Sequence, residues 1–532
     1  MNNRVVVFIA FDKRENLGVR YLQSVLSEAG FSVKIIEFDQ ERKIILKELL
    51  ELDPLLVGFS VIFENYIFEF KELIEYLRQN GVESHFTSGG HYASLRPDEL
   101  FQLIPSLDSI VRFEGEKTVV ELSNHLWNGI KWQDIAGISY KVNGKIVHNR
   151  LRSLEPDLDC FPYPVHSETY AKVLDKKIVP ILAGRGCIYR CIFCDSLKFF
   201  EAPPGPVKRI RDPVKVVEEI ETLYHQKGYS IFLFRDDDFP VKSRPLSNWI
   251  ERFCNSIKEK ELQRKIMWKI SCRPDEITEE AFTMMKDHGL FKVFMGFEDG
   301  TDAGLSLMKK HFKVADIIQA IDTLKQLELA IDYGFMLFHP ETTFSSLYSN
   351  LDFLEQTCGD GYMPVQYLKM MPYGEAEITH LLRRQQRLKG GPGFFDYEFH
   401  DPSMNEYYNC ISNLFNHWVD ASQGLLNRFK IALSTVSVYL FHYGTDDKIE
   451  KLSQALRQRI SEHNLFLINT LRELAHSFEN EKVSIQDAHI LEEYNRPIAS
   501  MHKNTSDYLN DLLNKLTMLP VLNSFFTITR QY

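Results

Sequence analysis

Three cysteines, Cys187, Cys191 and Cys194, stand at i, i+4 and i+7 in the run GRGCIYRCIFCDSLKFF. The run follows IVPILA, which reads as a strand, so the thiols fall on a loop where they are free to converge on one metal centre. A structural zinc site closes with four ligands, and no second Cys or His pair at usual spacing completes one. Three thiolates leave one iron of a [4Fe-4S] cluster open, as binding and reducing a substrate at the metal requires. Zinc and chance packing are the alternative readings of the triplet. Eight cysteines in 532 residues are too few for a disulfide framework. The other five, Cys160, Cys254, Cys272, Cys358 and Cys410, are scattered and read as buried packing.

The surrounding elements must hold that loop. From Arg4 to about Leu126, short apolar runs (VVVFIAF, SVKIIEF, LLVGFS, ESHFTSG and the weaker SIVRF) alternate with helix-length amphipathic stretches such as LGVRYLQSVLSEAG and FEFKELIEYLRQNG. That rhythm predicts an α/β fold, a doubly wound, flavodoxin-like open sheet over residues 1–150. GISYKVNGKIVHN adds a hairpin turning at Asn143-Gly144, and LEPDLDCFPYP marks a linker over 151–172. Six further strand candidates, IVPILA, IFLF, MWKISC, KVFMGF, AIDYGFMLF and VQYLKM, predict an open (β/α)6 partial barrel over 173–380, with reactive groups on the loops at the strands' carboxyl ends. Beyond about Gly393, glycine and proline thin out and long amphipathic runs predict an all-helical C-terminal segment over 381–532. The net charge of −11 is spread along the chain without a long basic run, which argues against a nucleic-acid partner. No uninterrupted apolar stretch of about 18 residues appears, and the charged start MNNRVVVFIAFDKREN does not read as a signal peptide, so a cytoplasmic setting is expected.

CIYRCIFC, with Phe193 before the third cysteine, has the C-x3-C-x2-C spacing of the radical S-adenosylmethionine (SAM) superfamily and resembles it closely. The resemblance extends to DDDF (Asp236 to Phe239), SCRPDEI, GFEDG and HPETTFSS at the ends of successive strands, with MPYGEAEI where many relatives carry a proline-glycine-threonine stretch. It implies a [4Fe-4S] cluster on Cys187, Cys191 and Cys194, SAM chelated at the open iron, and reductive cleavage to a 5′-deoxyadenosyl radical by an electron from a donor such as flavodoxin or ferredoxin. On chemical grounds Arg273 suits the methionine carboxylate, Glu298 a ribose hydroxyl or the amino group, and Asp236, Asp237 and Asp238 the α-ammonium. Asp299 stands where relatives usually show a small residue, a departure that bears on the ribose contact.

In open α/β sheets ligands lie across the carboxyl ends of the strands. GFS with Ser60 and Val61, SGGHYAS with Ser88, Gly89, Gly90 and His91, and FEGE with Glu114 together resemble the cobalamin-binding domain that precedes the barrel in the largest radical SAM subgroup. The chain has no D-x-H-x-x-G run, so the resemblance implies base-off cobalamin without a protein histidine below the cobalt, and His91 is read as a neighbour of the nucleotide or corrin edge. Most proteins of this architecture transfer a methyl group to a carbon, or occasionally phosphorus, without an acidic proton, where hydrogen-atom abstraction replaces deprotonation. A cyclase or oxidoreductase without methyl transfer, and a non-catalytic iron–sulfur or corrinoid sensor, are the other readings. No side chain is required as a nucleophile. The substrate, peptide, lipid, tetrapyrrole or small metabolite, is not legible. The aromatic residues Phe394, Phe395, Tyr397, Tyr407, Tyr408 and Trp418 are expected mostly in helix-packing core.

Overall fold

The computed structural model describes residues 3–13, 15–167, 171–241, 248–419, 424–480 and 488–517. The last residues of the expected helical segment, 518–532, and residues 168–170 of the expected linker lie outside the described residues. The chain divides into two compact units: residues 1–170, 180–215 and 372–396 form the first, and residues 171–179, 216–371 and 397–532 the second.

The first unit is built on seven strands: β1 (Asn3–Ala10), β2 (Ser32–Glu37), β3 (Pro54–Ser60), β4 (His85–Gly89), β5 (Ser109–Val111), β6 (Ile138–Val142) and β7 (Lys145–His148). They lie in the order β2-β1-β3-β4-β5-β6-β7, with β1 to β5 parallel and the β6-β7 hairpin added antiparallel at one edge. The alternation within β1 shows why both sheet faces must be covered. Val7 and Ile9 enter one core with Ile45, Leu49, Ile67 and Phe70 from two helices, while Val6, Phe8 and Ala10 enter another with Val19, Leu26, Val119 and Leu122. The hairpin turns at Asn143 and Gly144, both with positive φ, as a two-residue turn of this hand demands.

The second unit carries β8 (Ala171–Val173) and most of β9 (Lys176–Ile181). The short strands β10 (Gly184–Arg185) and β11 (Arg209–Ile210) pair within the first unit. The second sheet continues with β12 (Tyr229–Phe234), β13 (Met267–Cys272), β14 (Leu290–Glu298) and β15 (Ala330–Phe335), in the order β15-β14-β13-β12-β9-β8. Strands β12 to β15 are parallel, and β8 runs antiparallel to β9. Their side chains alternate. One face is buried, with Trp268 edge-on to Phe234 and Phe253; the other carries the half-buried Lys269, Ser271, Lys292, Phe294, Glu298 and Asp332.

VQYLKM, expected as the sixth barrel strand, makes only the bridge Phe338–Lys369. Side chains take over the pairing: Val365 N–H donates to Asn464 Oδ1 (2.8 Å), and the Gln366 side-chain amide donates to the Tyr333 carbonyl. The segment after residue 380 opens with a hairpin, β16 (Leu388–Gly391) and β17 (Phe394–Tyr397), before its long helices, which include Leu425–Tyr443, Asp447–Asn480 and Ala488–Thr517. Tyr397, Tyr407 and Trp418 are core residues as expected, whereas Phe394 is exposed.

Asn464, fully buried in the helix Asp447–Asn480, also donates to the carbonyls of Cys358 (2.7 Å) and Met363 (2.9 Å). Asn464→Ala strands three buried backbone groups and is expected to lower stability by about 3 kcal/mol, read as a drop in the thermal midpoint of the full chain.

Candidate cofactor sites

Each site is built on the ends of parallel strands. In the first unit, the loop after β3 and the loop after β4 press against one another. Val61 N–H donates to the Gly89 carbonyl (2.8 Å), and a Cβ on Gly90, whose φ is +105°, would lie 2.7 Å from the Val61 carbonyl oxygen. Glycine at 90 is therefore required by a close approach of backbone to backbone. Ser88 is fully buried with its hydroxyl donating to the Phe59 carbonyl (3.2 Å), and Ser60 accepts from Asn16 Nδ2 (3.4 Å). Both serines are engaged in shaping the loops. Exposed apolar side chains, Phe63, Tyr66 and Phe68, follow at the carboxyl end of β3, where a hydrophobic ring system would find contact.

The cysteine loop belongs to the same unit. His91 stacks on Phe199 of the helix Ser196–Glu201 just beyond Cys194, with ring centroids 4.0 Å apart and planes within 6°. Phe113 lies 5.2 Å from the same ring. One face of His91 is thus covered by the cysteine-loop helix.

The cysteine loop is also fastened by charge. Arg185, on β10 two residues before Cys187, pairs with Glu114 (3.2 Å) and Glu116 (2.7 Å); Arg209, its register partner on β11, pairs with Glu114 through both nitrogens (2.8 Å each). All four side chains are nearly inaccessible to solvent. Burial raises the Glu114 carboxyl, but the hydrogen bonds and charges of Arg209 and Arg185 outweigh it and hold the group below its usual range. Gly186 between Arg185 and Cys187 has φ +85°, and a Cβ there would stand 2.0 Å from the Val207 carbonyl oxygen. On the far side, Ile378 N–H donates to the Ile192 carbonyl (3.0 Å), and Arg96 bridges Glu99 and Glu375 (3.0 Å each).

Cys187, Cys191, Phe193 and Cys194 are all half-buried. Cys191 and Cys194 are close enough for each thiolate to affect the other, and burial raises the Cys194 thiol while hydrogen bonds from Ser196 oppose it. Among the described residues no group of three or more His, Cys, Asp or Glu is drawn together as a metal-binding set. The donor chemistry nonetheless fits the cluster: three cysteines outside any disulfide on one partly open loop, with no fourth ligand beside them among the described residues.

In the second unit, Glu298 ends β14 at a bulge with φ +67°, and its carboxylate folds back over Gly296 and Gly334. A Cβ on Gly296 would stand 2.3 Å from Oε1, and one on Gly334 would stand 3.2 Å from Oε2. Lys310 Nζ holds Oε1 (3.2 Å); Oε2 has no partner among the described residues. Burial raises this carboxyl and Lys310 partly counters it. Arg273 is buried over the Phe312 ring, donating to Asp275 Oδ1 (2.9 Å) and to the Lys310 carbonyl (2.5 Å). Asp236 and Asp238 are buried, while Asp237 is exposed. Asp299, the departure noted in the sequence, accepts from Thr301 N–H and Oγ1 (2.7 Å each) and lies 3.5 Å from His339 Nε2. It is an internal capping and pairing group.

Sequence reading missed Arg185, Arg209 and Glu116. The adjacency of Arg185 to the first cysteine, and two acids in FEGE, were the available signals.

The fold and these sites define a protein with a nucleotide-type α/β unit and a half barrel, each presenting strand-end loops to cofactors. Residues 4–123 match the B12 binding domain and residues 181–354 the radical SAM superfamily, so the chain belongs to the cobalamin-binding radical SAM proteins. It is 27% identical over 351 residues to an uncharacterised methyltransferase of Pyrococcus horikoshii, covering 64% of this chain and 73% of that protein. It is 25% identical over 333 residues to the anaerobic magnesium-protoporphyrin IX monomethyl ester cyclase of Rubrivivax gelatinosus, covering 60% of this chain and 58% of the relative. Among solved structures, the cobalamin-dependent S-adenosylmethionine radical enzyme OxsB aligns over 96% of this chain and 80% of its own, with TM-score 0.64 and 19% identity. The radical S-adenosylmethionine methyltransferase TsrM of Kitasatospora setae covers 73% of this chain and 80% of its own, with TM-score 0.61 and 18% identity. These structural likenesses establish the fold.

Arg185→Met removes the one cation that Glu116 meets among the described residues. A carboxylate left buried and unpaired is expected to cost about 3 kcal/mol, read by thermal unfolding. Because the folded Glu114 carboxyl is depressed, its contribution is present above the usual glutamate range of about 4.3 and lost as pH falls through the lower folded value. Acid titration of the thermal midpoint should therefore be shallower for Glu114→Gln than for the parent.

Proposed function

We propose that the chain is a cobalamin-dependent radical SAM methyltransferase acting on an unactivated carbon. The observation that carries this is the common unit shared by the B12-type strand-end loops and the three-cysteine loop, joined through Glu114, Glu116, Arg185, Arg209 and the His91–Phe199 stack. When bound, the cluster and SAM supply a carbon-centred radical and cobalamin supplies the methyl group.

The chain's own work is to hold, orient and shield. Cys187, Cys191 and Cys194 ligate the cluster and leave one iron for SAM. Of the strand-end residues, Glu298 is best prepared to accept from a ribose hydroxyl or the amino group of SAM, since Oε2 meets no partner among the described residues and Lys310 fixes the other oxygen. Arg273 and the acids Asp236, Asp237 and Asp238 complete the proposed SAM set. Ser60, Val61, Ser88, Gly89, Gly90, His91 and Glu114 shape the cobalamin side; Ser88, Gly90 and Glu114 act by positioning the loops. A one-electron donor of the flavodoxin or ferredoxin type is required, and a reducing cytoplasm suits three cysteine thiolates. No helix among the described residues is long and apolar enough to cross a membrane.

The test uses anaerobically reconstituted protein with hydroxocobalamin, SAM and a strong reductant, quantifying 5′-deoxyadenosine and S-adenosylhomocysteine together. Both products are expected, and both fall to background in Cys191→Ala. 5′-Deoxyadenosine without S-adenosylhomocysteine across a panel of candidate substrates contradicts methyl transfer.

A further inference from the structure

The half-buried face of the second sheet carries charge that the proposed SAM residues do not use. Lys269 on β13 and Lys292 on β14 are register partners, and Asp332 stands two residues beyond Ala330, the partner of Lys292 on β15. From the helix Leu425–Tyr443, Lys430 Nζ reaches Asp332 Oδ1 (2.7 Å) and Gln366 Oε1 (3.0 Å), while Lys292 Nζ lies 3.6 Å from Asp332 Oδ2 and 3.3 Å from Ser434 Oγ. One carboxylate thus serves two ammonium groups. Although burial opposes ionisation, Lys292 and Lys430 pull the Asp332 carboxyl down to about 2, so it stays charged.

Lys269 is left over. Among the described residues no carboxylate or hydrogen-bond acceptor meets its ammonium, which lies 5.3 Å from the centre of the Phe294 ring. The charged groups that act on it are Arg235, Lys292 and Lys430, all cationic, and Asp332; burial and those cations push it down to about 7. Three ammonium groups around one carboxylate, inside a sheet face, make a cluster whose charge is balanced only when an anion enters. Surface lysines have water for that purpose; Lys292 and Lys430 keep only 15% and 25% of their side-chain exposure.

We propose that this face binds a tetrahedral dianion, the phosphoryl or similar group of a substrate, with Lys269 as its principal contact and Lys292 and Lys430 as flanking charges. Three cationic donors around one carboxylate, two charges in excess, suit a compact dianion better than a single carboxylate, and ammonium groups bind phosphate as point charges. Lys269 sits three residues before Cys272 at the end of β13, a depth of about 10 Å along a strand. The site therefore anchors a non-reacting end of the molecule. The word substrate rests on the radical SAM reading; the anion site itself does not.

Sulfate is the probe, because its charge stays fixed while Lys269 titrates. Calorimetric titration of the reconstituted full chain is expected to show saturable binding, weakened about tenfold or more between about pH 6 and pH 9 as Lys269 loses its proton. Lys269→Met should weaken binding at the lower pH by about tenfold and flatten the pH profile, whereas Asp332→Asn, by removing the one carboxylate, should tighten it about threefold or more. The surface variant Lys131→Met should match the parent. No saturable binding, equal affinity in Lys269→Met and the parent, or acetate binding as tightly as sulfate overturns the proposal. 5′-Deoxyadenosine formation by the parent is measured in the same preparation. Cleavage of SAM without sulfate binding removes the anion site and leaves the enzyme, while sulfate binding without SAM cleavage removes the assignment to a radical substrate.

Discussion

The pairing of Glu114 and Glu116 with Arg185 and Arg209 is the interaction on which the first unit's organisation depends. It joins the loop after β5 of the sheet to the short β10-β11 ladder that delivers the cysteine loop. Buried charges of this kind are costly unless every partner is present, so the arrangement is more a device for fixing one geometry than a source of net stability. Around it, the constraints are steric: Gly90 and Gly186 bring backbone against backbone where any side chain would intrude. An apolar contact could slide; the two-pronged Arg209–Glu114 pair, with Arg185 bridging Glu114 and Glu116, fixes direction as well as distance.

The second unit uses a different economy of residues. Its sheet buries one face in aromatic and aliphatic packing and keeps charges on the other, so that each strand contributes alternately to stability and to chemistry. Glu298 marks the upper end of the half-buried face, and the Lys269–Lys292–Asp332–Lys430 group lies deeper along the same strands. A fold that must manage reactive radicals benefits from holding substrate by contacts remote from the reacting atom, since binding energy there can be spent on orientation.

Much of this was legible in the sequence because it is periodic. The apolar runs of β1 to β5, β9 and β12 to β15, the Asn143-Gly144 turn and the C-x3-C-x2-C loop announce themselves through spacing alone. VQYLKM failed because its alternation resembles a strand, while the deciding partners, Asn464 and Tyr333, are tertiary and remote. The β16-β17 hairpin was hidden by the helical composition that follows it. At the sites, the residue types were legible and the contacts that hold them were not. Gly90 and Ser88 looked like ligand contacts but are consumed by neighbouring loops, and Glu114 looked like a cofactor residue but is held by arginines. Pairings between distant segments leave no periodic trace. The lysines in the middle of MWKISC and LFKVFMGF did leave one, since a cation at the same depth in adjacent apolar strands is unusual.

The central claim is that cobalamin and the cluster are held by one compact unit. Electron paramagnetic resonance of protein carrying both a paramagnetic cobalt(II) corrinoid and the reduced cluster tests it most directly, because two spins in one small unit broaden and split each other's signals. A dipolar-coupled spectrum is expected, reverting to an isolated signal when either centre is made diamagnetic. A spectrum equal to the simple sum of the two isolated centres, in protein shown to contain both, would contradict it.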